Sequence, residues 1–274
     1  MQRELHTQSL TAQGAEPEHW VALLHGIMGT GKNLRTLGQG IVAARPDFGV
    51  LLVDLPNHGE SPDTTETPTL ATCSEAVAHT LAALPEPCTA VVGHSYGGKV
   101  ALNLLAEPPP DLRTVVTLDS PPGPRKRHEL KNDLFAVIDA VEAVPFPLER
   151  RESLVEALTQ QGIEVGTARW LTSNLLPGPA GFTLRIEPDV IRTMLADYFG
   201  LDLWHLVATP PEKVSVHLII AGGSISYNDD ERARAADLAA SGSRTYTETI
   251  PKVKHWLHVE DPQATLDAVL RALA

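Results

Sequence analysis

The sequence predicts an α/β protein with a doubly wound, mostly parallel β-sheet and a helical insertion. Short apolar runs alternate with amphipathic stretches along the chain, which is typical of repeated β–α–β units. Later in the chain, a long segment with helical periodicity and little strand signal separates two of these runs. Together these patterns indicate one sheet covered on both faces, with extra helices inserted between two of its strands.

Five apolar runs predict buried strands. They are rich in β-branched residues and end at Gly, Asp or Pro. Continuous apolarity, rather than strict alternation, is typical of parallel strands that are covered on both faces. The predicted strands are 20–24, 50–53, 90–92, 115–118 and 216–221, and a further strand is expected at 245–250.

Helical spacing of apolar residues predicts helices at 33–44, 69–84, 98–106, 229–240 and 262–274. The segment 121–211 shows the same spacing at 130–144, 150–161, 167–176 and 188–198, between turns rich in Pro and Gly. We interpret 121–211 as a helical cap over a core formed by 1–120 and 212–274. A second helical domain with a core of its own is the alternative interpretation.

Composition narrows the class of function. The 274 residues are 43% hydrophobic, which suffices for one sizeable core. The net charge of -12 would repel a polyanionic backbone, so nucleic acid is not an expected partner. The two cysteines, Cys73 and Cys88, form neither a disulfide framework nor a metal-binding pair. With no secretory leader and no apolar run long enough for a bilayer, we expect a cytoplasmic protein without a membrane span or a cofactor.

The most informative motif is Gly93-His94-Ser95-Tyr96-Gly97, a G-x-S-x-G sequence between a predicted strand and a predicted helix. This context is typical of a nucleophile elbow, in which the serine hydroxyl is exposed on a strained turn. Glycines two residues to either side leave room for the neighbouring strand and helix. The helix N-terminus favours the negative charge that develops on a substrate oxygen. An ordinary turn with a capping serine is the alternative interpretation of Ser95.

The loop after the first predicted strand, His25-Gly26-Ile27-Met28-Gly29-Thr30-Gly31-Lys32-Asn33, is rich in glycine. We expect it to lie beside Ser95, where the backbone N–H groups of Ile27 and Tyr96 would form an oxyanion hole. The loop is also one residue short of a P-loop, because Asn33 follows Lys32 where Ser or Thr would bind Mg²⁺. A P-loop-like nucleotide site is therefore a rival. His25 is expected to shape the loop, and His58 to stabilise a later turn or line the site.

A serine hydroxyl needs an adjacent base near neutral pH. In the chain order of nucleophile, acid and histidine, the base comes late, so His255 and His258 are the candidates. We favour His255, since it comes first after the last predicted strand and its turn. His258 is then a structural residue at the start of a helix.

The acid must hold the imidazole in its correct tautomer and stabilise its charged form. After the strand at 216–221, the usual carboxylate position near Ser226 holds no acid. We favour Asp119, which follows the strand at 115–118, because that strand end also faces the site. Asp229 and Asp230 are the alternative acids, although both are expected to begin a helix.

The motifs HGIMGTGKN, DLPNHGESP, GHSYGGKVAL, VTLDSPP, IIAGGSISY and HWLHVEDP have the order and spacing of the α/β-hydrolase superfamily. Nearly the whole chain resembles this superfamily, and within it a bacterial esterase group with mitochondrial relatives and small helical caps. The resemblance implies an α/β-hydrolase fold and the hydrolysis of short- to medium-chain esters and acyl thioesters. It also implies Ser95 as nucleophile, His255 as base and Asp119 as acid. Members of the group commonly have a serine and then an acidic or polar residue before the tyrosine of the loop after 216–221, whereas Ile225 and Ser226 occupy those places here.

We therefore expect a serine hydrolase of the carboxylesterase type that forms an acyl-enzyme on Ser95 and binds a small-molecule ester or thioester. The same fold also supports C–C hydrolase, lyase and perhydrolase chemistry, because function depends on the site rather than the fold. A catalytically silent interaction protein is a further alternative.

Overall fold

The computed structural model describes residues 4–64, 66–125 and 134–274. Within them, a seven-stranded sheet has the order β1-β3-β2-β4-β5-β8-β9, and β6 pairs with β7 in a separate hairpin. The strands are β1 (Thr7–Leu10), β2 (His19–Leu24), β3 (Phe48–Val53), β4 (Cys88–His94), β5 (Thr114–Leu118), β6 (Leu175–Gly178), β7 (Gly181–Leu184), β8 (Ser215–Ala221) and β9 (Thr245–Ile250). All pairings in the large sheet are parallel except that of β1 with β3.

The helices lie between and after the strands of the sheet. They are α1 (Arg35–Ala44), α2 (Leu70–Ala82), α3 (Tyr96–Asn103), α4 (Leu134–Glu142), α5 (Arg151–Gln160), α6 (Val165–Leu171), α7 (Pro188–Gly200), α8 (Trp204–Ala208), α9 (Asp229–Ala240), α10 (Leu257–Glu260) and α11 (Pro262–Ala272). Within the described residues, none of these helices has the length and apolarity needed to cross a bilayer.

The sheet separates two apolar clusters, and successive residues of β2 contribute to each in turn. Val21 and Leu23 join the cluster that includes α1 and α11. Ala22 and Leu24 join the cluster that includes α2, α3 and the helices between β5 and β8. This arrangement explains why the strand sequences are apolar without alternation, because both faces of each strand are buried. The chain has the mostly parallel, doubly wound sheet that its sequence predicts.

Several elements differ from the sequence prediction, among them an edge strand and the end of a helix. The edge strand β1 was not predicted, since the polar sequence TQSL is held by backbone pairing to β3 rather than by burial. The helix predicted at 167–176 is wrong in its second half: α6 ends at Leu171, a 3₁₀ turn follows, and residue 175 begins β6. Pro177 and Gly178 disfavour continuation of a helix there.

The segment between β5 and β8 packs onto the sheet rather than forming a separate apolar cluster. Buried residues of α5, α6 and α7, such as Leu154, Leu171 and Met194, belong to the same cluster as Leu24 of β2. The predicted start of the helix at 130–144 lies outside the described residues, and α4 begins at Leu134. The cap boundaries 121–211 stay a prediction.

Candidate active site

Ser95 occupies the turn between β4 and α3 in a backbone conformation that side chains rarely adopt, with φ 52° and ψ -116°. The turn is tight enough to exclude larger residues beside it. A Cβ atom at Gly93 would collide with the carbonyl of Gly97, and one at Gly97 with the carbonyl of Leu24. The two glycines therefore allow a strained serine to stand at the carboxyl end of the sheet, as expected for a nucleophile elbow.

Asp119 lies at the end of β5, next to β4 in the sheet, and is fully buried. Its Oδ2 accepts hydrogen bonds from His255 Nδ1 (2.8 Å) and Ser224 Oγ (2.5 Å), and its Oδ1 accepts from the N–H of Ala221 (3.2 Å). Burial alone would raise the pKa of Asp119. The hydrogen bond and charge of His255, with hydrogen bonds from Ser224 and Ser226, outweigh burial and lower it.

His255 lies in the loop after β9 and is half-buried. Its Nδ1 faces both Asp119 Oδ2 (2.8 Å) and Ser226 Oγ (3.0 Å). Because a carboxylate only accepts hydrogen bonds, Nδ1 carries the proton and Nε2 of the neutral ring is left as the basic nitrogen. The His255 carbonyl accepts from His94 Nε2 (2.9 Å), and the two rings are 4.8 Å apart. His94 thus ties the loop of His255 to the residue that precedes Ser95.

The residues on both sides of Asp119 also fix the backbone of Ser95. The Ser95 N–H donates to the Leu118 carbonyl (3.1 Å), and Ser120 Oγ donates to the Ser95 carbonyl (2.6 Å). Within the described residues, the Ser95 hydroxyl makes no hydrogen bond to His255. Catalytic hydrogen bonds are often long in enzymes without substrate, so the arrangement remains compatible with a nucleophile and its base.

The loop after β2 uses four consecutive N–H groups within the protein. Met28 donates to His58 Nε2 (2.9 Å), Gly29 to Gly26 O (3.0 Å), Thr30 to Asn33 Oδ1 (2.7 Å) and Gly31 to Asp54 Oδ1 (2.7 Å). A phosphate-binding loop would point such groups at the anion. Lys32 is exposed and lies beside Glu60. This geometry contradicts the P-loop-like nucleotide site.

Two N–H groups near Ser95 stay available. In the part of the chain that the structure describes, neither Ile27 nor Tyr96 donates its backbone N–H to a protein acceptor. The Tyr96 group belongs to the first turn of α3, where N–H groups lack intrahelical partners. Both groups therefore have the free donor that the predicted oxyanion hole requires.

The two histidines of the neighbouring loops are buried and neutral. His25 accepts from the Leu55 N–H and donates to the Gly26 carbonyl, and burial lowers its pKa to about 4. His58 accepts from Met28 and donates to the Pro56 carbonyl, and burial lowers its pKa to about 3. Both ring nitrogens of each histidine are bonded to backbone groups, so none is left for proton transfer. Both histidines therefore stabilise the backbone of these loops.

The alternative base and acids lie apart from this arrangement. His258 is buried on α10 against His94, and within the described residues neither of its ring nitrogens has a hydrogen-bond partner. Asp229 and Asp230 are exposed in the first turn of α9, after the capping residue Asn228. Of the predicted carboxylates, the structure brings Asp119 to His255 and leaves the other two at the helix start.

Sequence reasoning missed Ser224, Ser226 and His94 as neighbours of the predicted base and acid. Ser224 and Ser226 lie in the loop after β8, where a carboxylate was sought and not found. The position of that loop was the available signal, since the carboxyl ends of neighbouring parallel strands meet at one edge. His94 carried no separate signal, because its partner is a backbone carbonyl 161 residues away.

A buried lysine joins α3 to the chain just after β5 and to the end of α7. Lys99 Nζ donates to the carbonyls of Gly123 (2.7 Å), Tyr198 (2.7 Å) and Leu201 (2.9 Å). Gly123 follows β5, whereas Tyr198 and Leu201 lie at the end of α7. Burial lowers the pKa of Lys99 to about 8, although the carboxylate of Glu231 opposes this shift.

A strand, an elbow serine, a histidine paired with a buried aspartate and two free N–H donors define a site of the α/β-hydrolase class. The chain belongs to the alpha/beta hydrolase family, which it matches over residues 18–268.

Individual relatives agree with this class. The chain is 27% identical to Esterase YbfF of Escherichia coli (strain K12), over 98% of this chain and 99% of the relative. It is 28% identical to the sn-1-specific diacylglycerol lipase ABHD11 of Mus musculus, over 93% of this chain and 80% of the relative. A solved structure, "Marine microorganism esterase", shares the fold with a TM-score of 0.82 at 21% identity, covering 98% of this chain and 99% of that one. The chain is a hydrolase of the esterase type.

Proposed function

We propose that the protein hydrolyses carboxylic esters of short to medium acyl chains through an acyl-enzyme on Ser95, with His255 as base and Asp119 as acid. The observation that carries this proposal is the 2.8 Å hydrogen bond between His255 Nδ1 and Asp119 Oδ2, at the strand end beside the Ser95 elbow. Esterase YbfF and the diacylglycerol lipase, both similar over most of this chain, support an ester as the substrate.

In acylation, His255 Nε2 accepts the Ser95 proton while Ser95 Oγ attacks the ester carbonyl. The negative oxygen of the tetrahedral intermediate accepts hydrogen bonds from the N–H groups of Ile27 and Tyr96. His255 then gives its proton to the leaving alkoxide, and the alcohol departs. Asp119 stabilises the imidazolium throughout and stays ionised, in keeping with its lowered pKa.

In deacylation, a water molecule loses its proton to His255 Nε2 and attacks the acyl carbonyl. Collapse of the second tetrahedral intermediate breaks the bond to Ser95 Oγ, which recovers the proton from His255. The free acid leaves, and the enzyme returns to its starting state.

Replacement of the nucleophile tests this proposal. Ser95→Ala should lower kcat/KM for p-nitrophenyl esters by roughly 10³-fold or more, and should abolish labelling by a fluorophosphonate probe. Ser215→Ala, on β8 at the opposite end of the sheet, is the matched control and should keep both. Peptide mapping of labelled wild-type protein should find the probe on Ser95. Full esterase activity in Ser95→Ala, or a label elsewhere, would contradict the mechanism.

A panel that includes diketone substrates separates ester hydrolysis from C–C hydrolase chemistry on the same fold. We expect turnover of esters and none of diketones. The cytoplasmic setting and the absence of nucleic-acid binding stay predictions from the sequence.

A further inference from the structure

Residues 26–29 form a tight turn whose conformation is unusual for its sequence. The Gly29 N–H donates to the Gly26 carbonyl (3.0 Å), so that Ile27 and Met28 are the two central residues. Met28 has φ 57°, at a turn position where glycine is usual. A side chain in this region is strained and persists only where its surroundings hold it. The predicted oxyanion donor, the N–H of Ile27, lies in this turn.

The core holds one side of Met28. The Met28 N–H donates to His58 Nε2 (2.9 Å), and His58 Nδ1 donates in turn to the Pro56 carbonyl (2.9 Å). His58 is fully buried, and burial lowers its pKa to about 3. Its ring therefore stays neutral across the working pH range and keeps Nε2 as an acceptor.

The segment between β5 and β8 holds the carbonyl side of Met28. Asn174, in the 3₁₀ turn between α6 and β6, donates from Nδ2 to the Met28 carbonyl (2.8 Å) across 146 residues of sequence. Asn174 itself is fixed, because its carbonyl accepts from the Arg185 N–H (2.8 Å). The peptide groups before and after the Met28 Cα are thus held by two different parts of the molecule.

The Asn174 side chain is only 1% exposed, and its Oδ1 has no partner among the described residues. A buried amide with one unsatisfied atom is unfavourable for stability, so an apolar side chain of similar size would serve packing better. Asn174 Nδ2 also donates to the Leu171 carbonyl (3.5 Å) within its own turn, so the bond to Met28 is the shorter of the two and the one that reaches another part of the molecule.

We propose that Asn174 is a positioning residue that couples the helical segment to the oxyanion hole, by holding Met28 in the conformation that aims the Ile27 N–H at the substrate oxygen. This inference rests on the proposed function, which supplies the oxyanion. Docking of the segment between β5 and β8 then positions a hydrogen-bond donor for the transition state. Its role is more than that of a wall of the substrate pocket.

Asn174→Leu and Asn174→Asp, which are close in size and cannot donate to Met28 as the amide does, test the coupling. Both should lower kcat for a short p-nitrophenyl ester by roughly tenfold or more, since a misplaced donor costs part of what a lost one does. KM should change by less than about threefold. The affinity for a trifluoromethyl ketone analogue should fall in proportion to kcat/KM, because the analogue forms the oxyanion.

Arg185→Gln is the matched control. The Arg185 side chain also ties the segment to the core, through the carbonyls of Gly59 and Ser61, and among the described residues it makes no hydrogen bond to Met28. We expect this variant to keep kcat and the analogue affinity within about threefold of wild type. Far-UV circular dichroism and thermal unfolding show whether each variant is folded, and Asn174→Ser is the smaller replacement if the first two do not fold.

Wild-type kcat and analogue affinity in a folded Asn174 variant would overturn the proposal, and so would a change confined to KM. Equal losses in the Arg185 control would also overturn it, because any loosening of the segment would then suffice. Failure of the proposed function is separate: it would appear as esterase activity that survives Ser95→Ala.

Discussion

Asp119, the proposed acid, lies one strand away from the proposed nucleophile Ser95. Its carboxylate, at the end of β5, accepts three hydrogen bonds and is fully buried, whereas the loop after β8 contributes only the hydroxyls of Ser224 and Ser226. Ser226 Oγ shares the Nδ1 proton of His255 with Asp119. The histidine is therefore held by a carboxylate on one side and a neutral hydroxyl on the other.

Asp119→Asn should lower kcat by roughly 10³-fold or more while leaving KM nearly unchanged. The new amide places a donor opposite His255 Nδ1, so the ring adopts the tautomer in which Nε2 carries the proton and cannot act as base. Steady-state kinetics with a p-nitrophenyl ester measure the effect. Asp229→Asn, on the exposed first turn of α9, is the control and should match wild type. A reversed order of the two variants would contradict Asp119 as the acid.

The residues of the site were predictable from sequence to different extents. The position of Ser95 was predictable because a nucleophile elbow needs glycines within two residues of the serine. A short local motif therefore indicates the geometry. The order of strands and loops favoured Asp119 and His255 but left His258, Asp229 and Asp230 open. Asn174 and His94 were not predictable, because their partners are single backbone carbonyls far away in sequence, and such contacts leave no periodicity or spacing.

Among the elements, the parallel strands were predictable because burial on both faces requires continuous apolarity. The hairpin of β6 and β7 was not, since its strands are short and mostly exposed and are defined by pairing with each other. The edge strand β1 was not predicted for the same reason, because it is defined by its hydrogen bonds to β3. Pairing on one exposed side leaves a weaker sequence signal than burial does.

The helix α3 connects to the segment between β5 and β8 through Lys99, and this contact predicts a dependence of stability on pH. Between pH about 8 and 10.5 the unfolded chain binds more protons than the folded one, so the free energy of unfolding should rise with pH. The contribution of Lys99 to the free energy of unfolding is fully present above the pKa of lysine in the unfolded chain. It is lost as the pH falls through about 8, the pKa of Lys99 in the folded protein. The shift corresponds to about 3 kcal/mol.

Urea unfolding at several pH values between 7 and 10.5 measures this dependence, with Lys99→Met as the variant and Lys32→Met as the control. The slope should be smaller in Lys99→Met than in wild type. Lys32 is exposed, so its replacement should leave the slope unchanged. Identical slopes in all three proteins would show that Lys99 does not titrate in this range in the folded state.

At the scale of the whole molecule, one apolar cluster extends from the sheet into the helical segment. Leu24 of β2, Val100 of α3 and Met194 of α7 all belong to it. We therefore expect the segment and the sheet to unfold together. Scanning calorimetry should show a single transition whose calorimetric and van't Hoff enthalpies agree. Two resolved transitions would indicate a helical domain with a core of its own.

The three carbonyls around Lys99 have a topological consequence. Since one ammonium contacts Gly123, Tyr198 and Leu201 at once, the excursion of the chain from Gly123 to Tyr198 begins and ends at almost the same point. The entropic cost of closing such an excursion rises only slowly with its length, by about 0.6 kcal/mol for each doubling. Exchange of that excursion for one of different length or shape would leave the hydrogen bond between His255 and Asp119 in place, but it would remove the Asn174 bond to Met28.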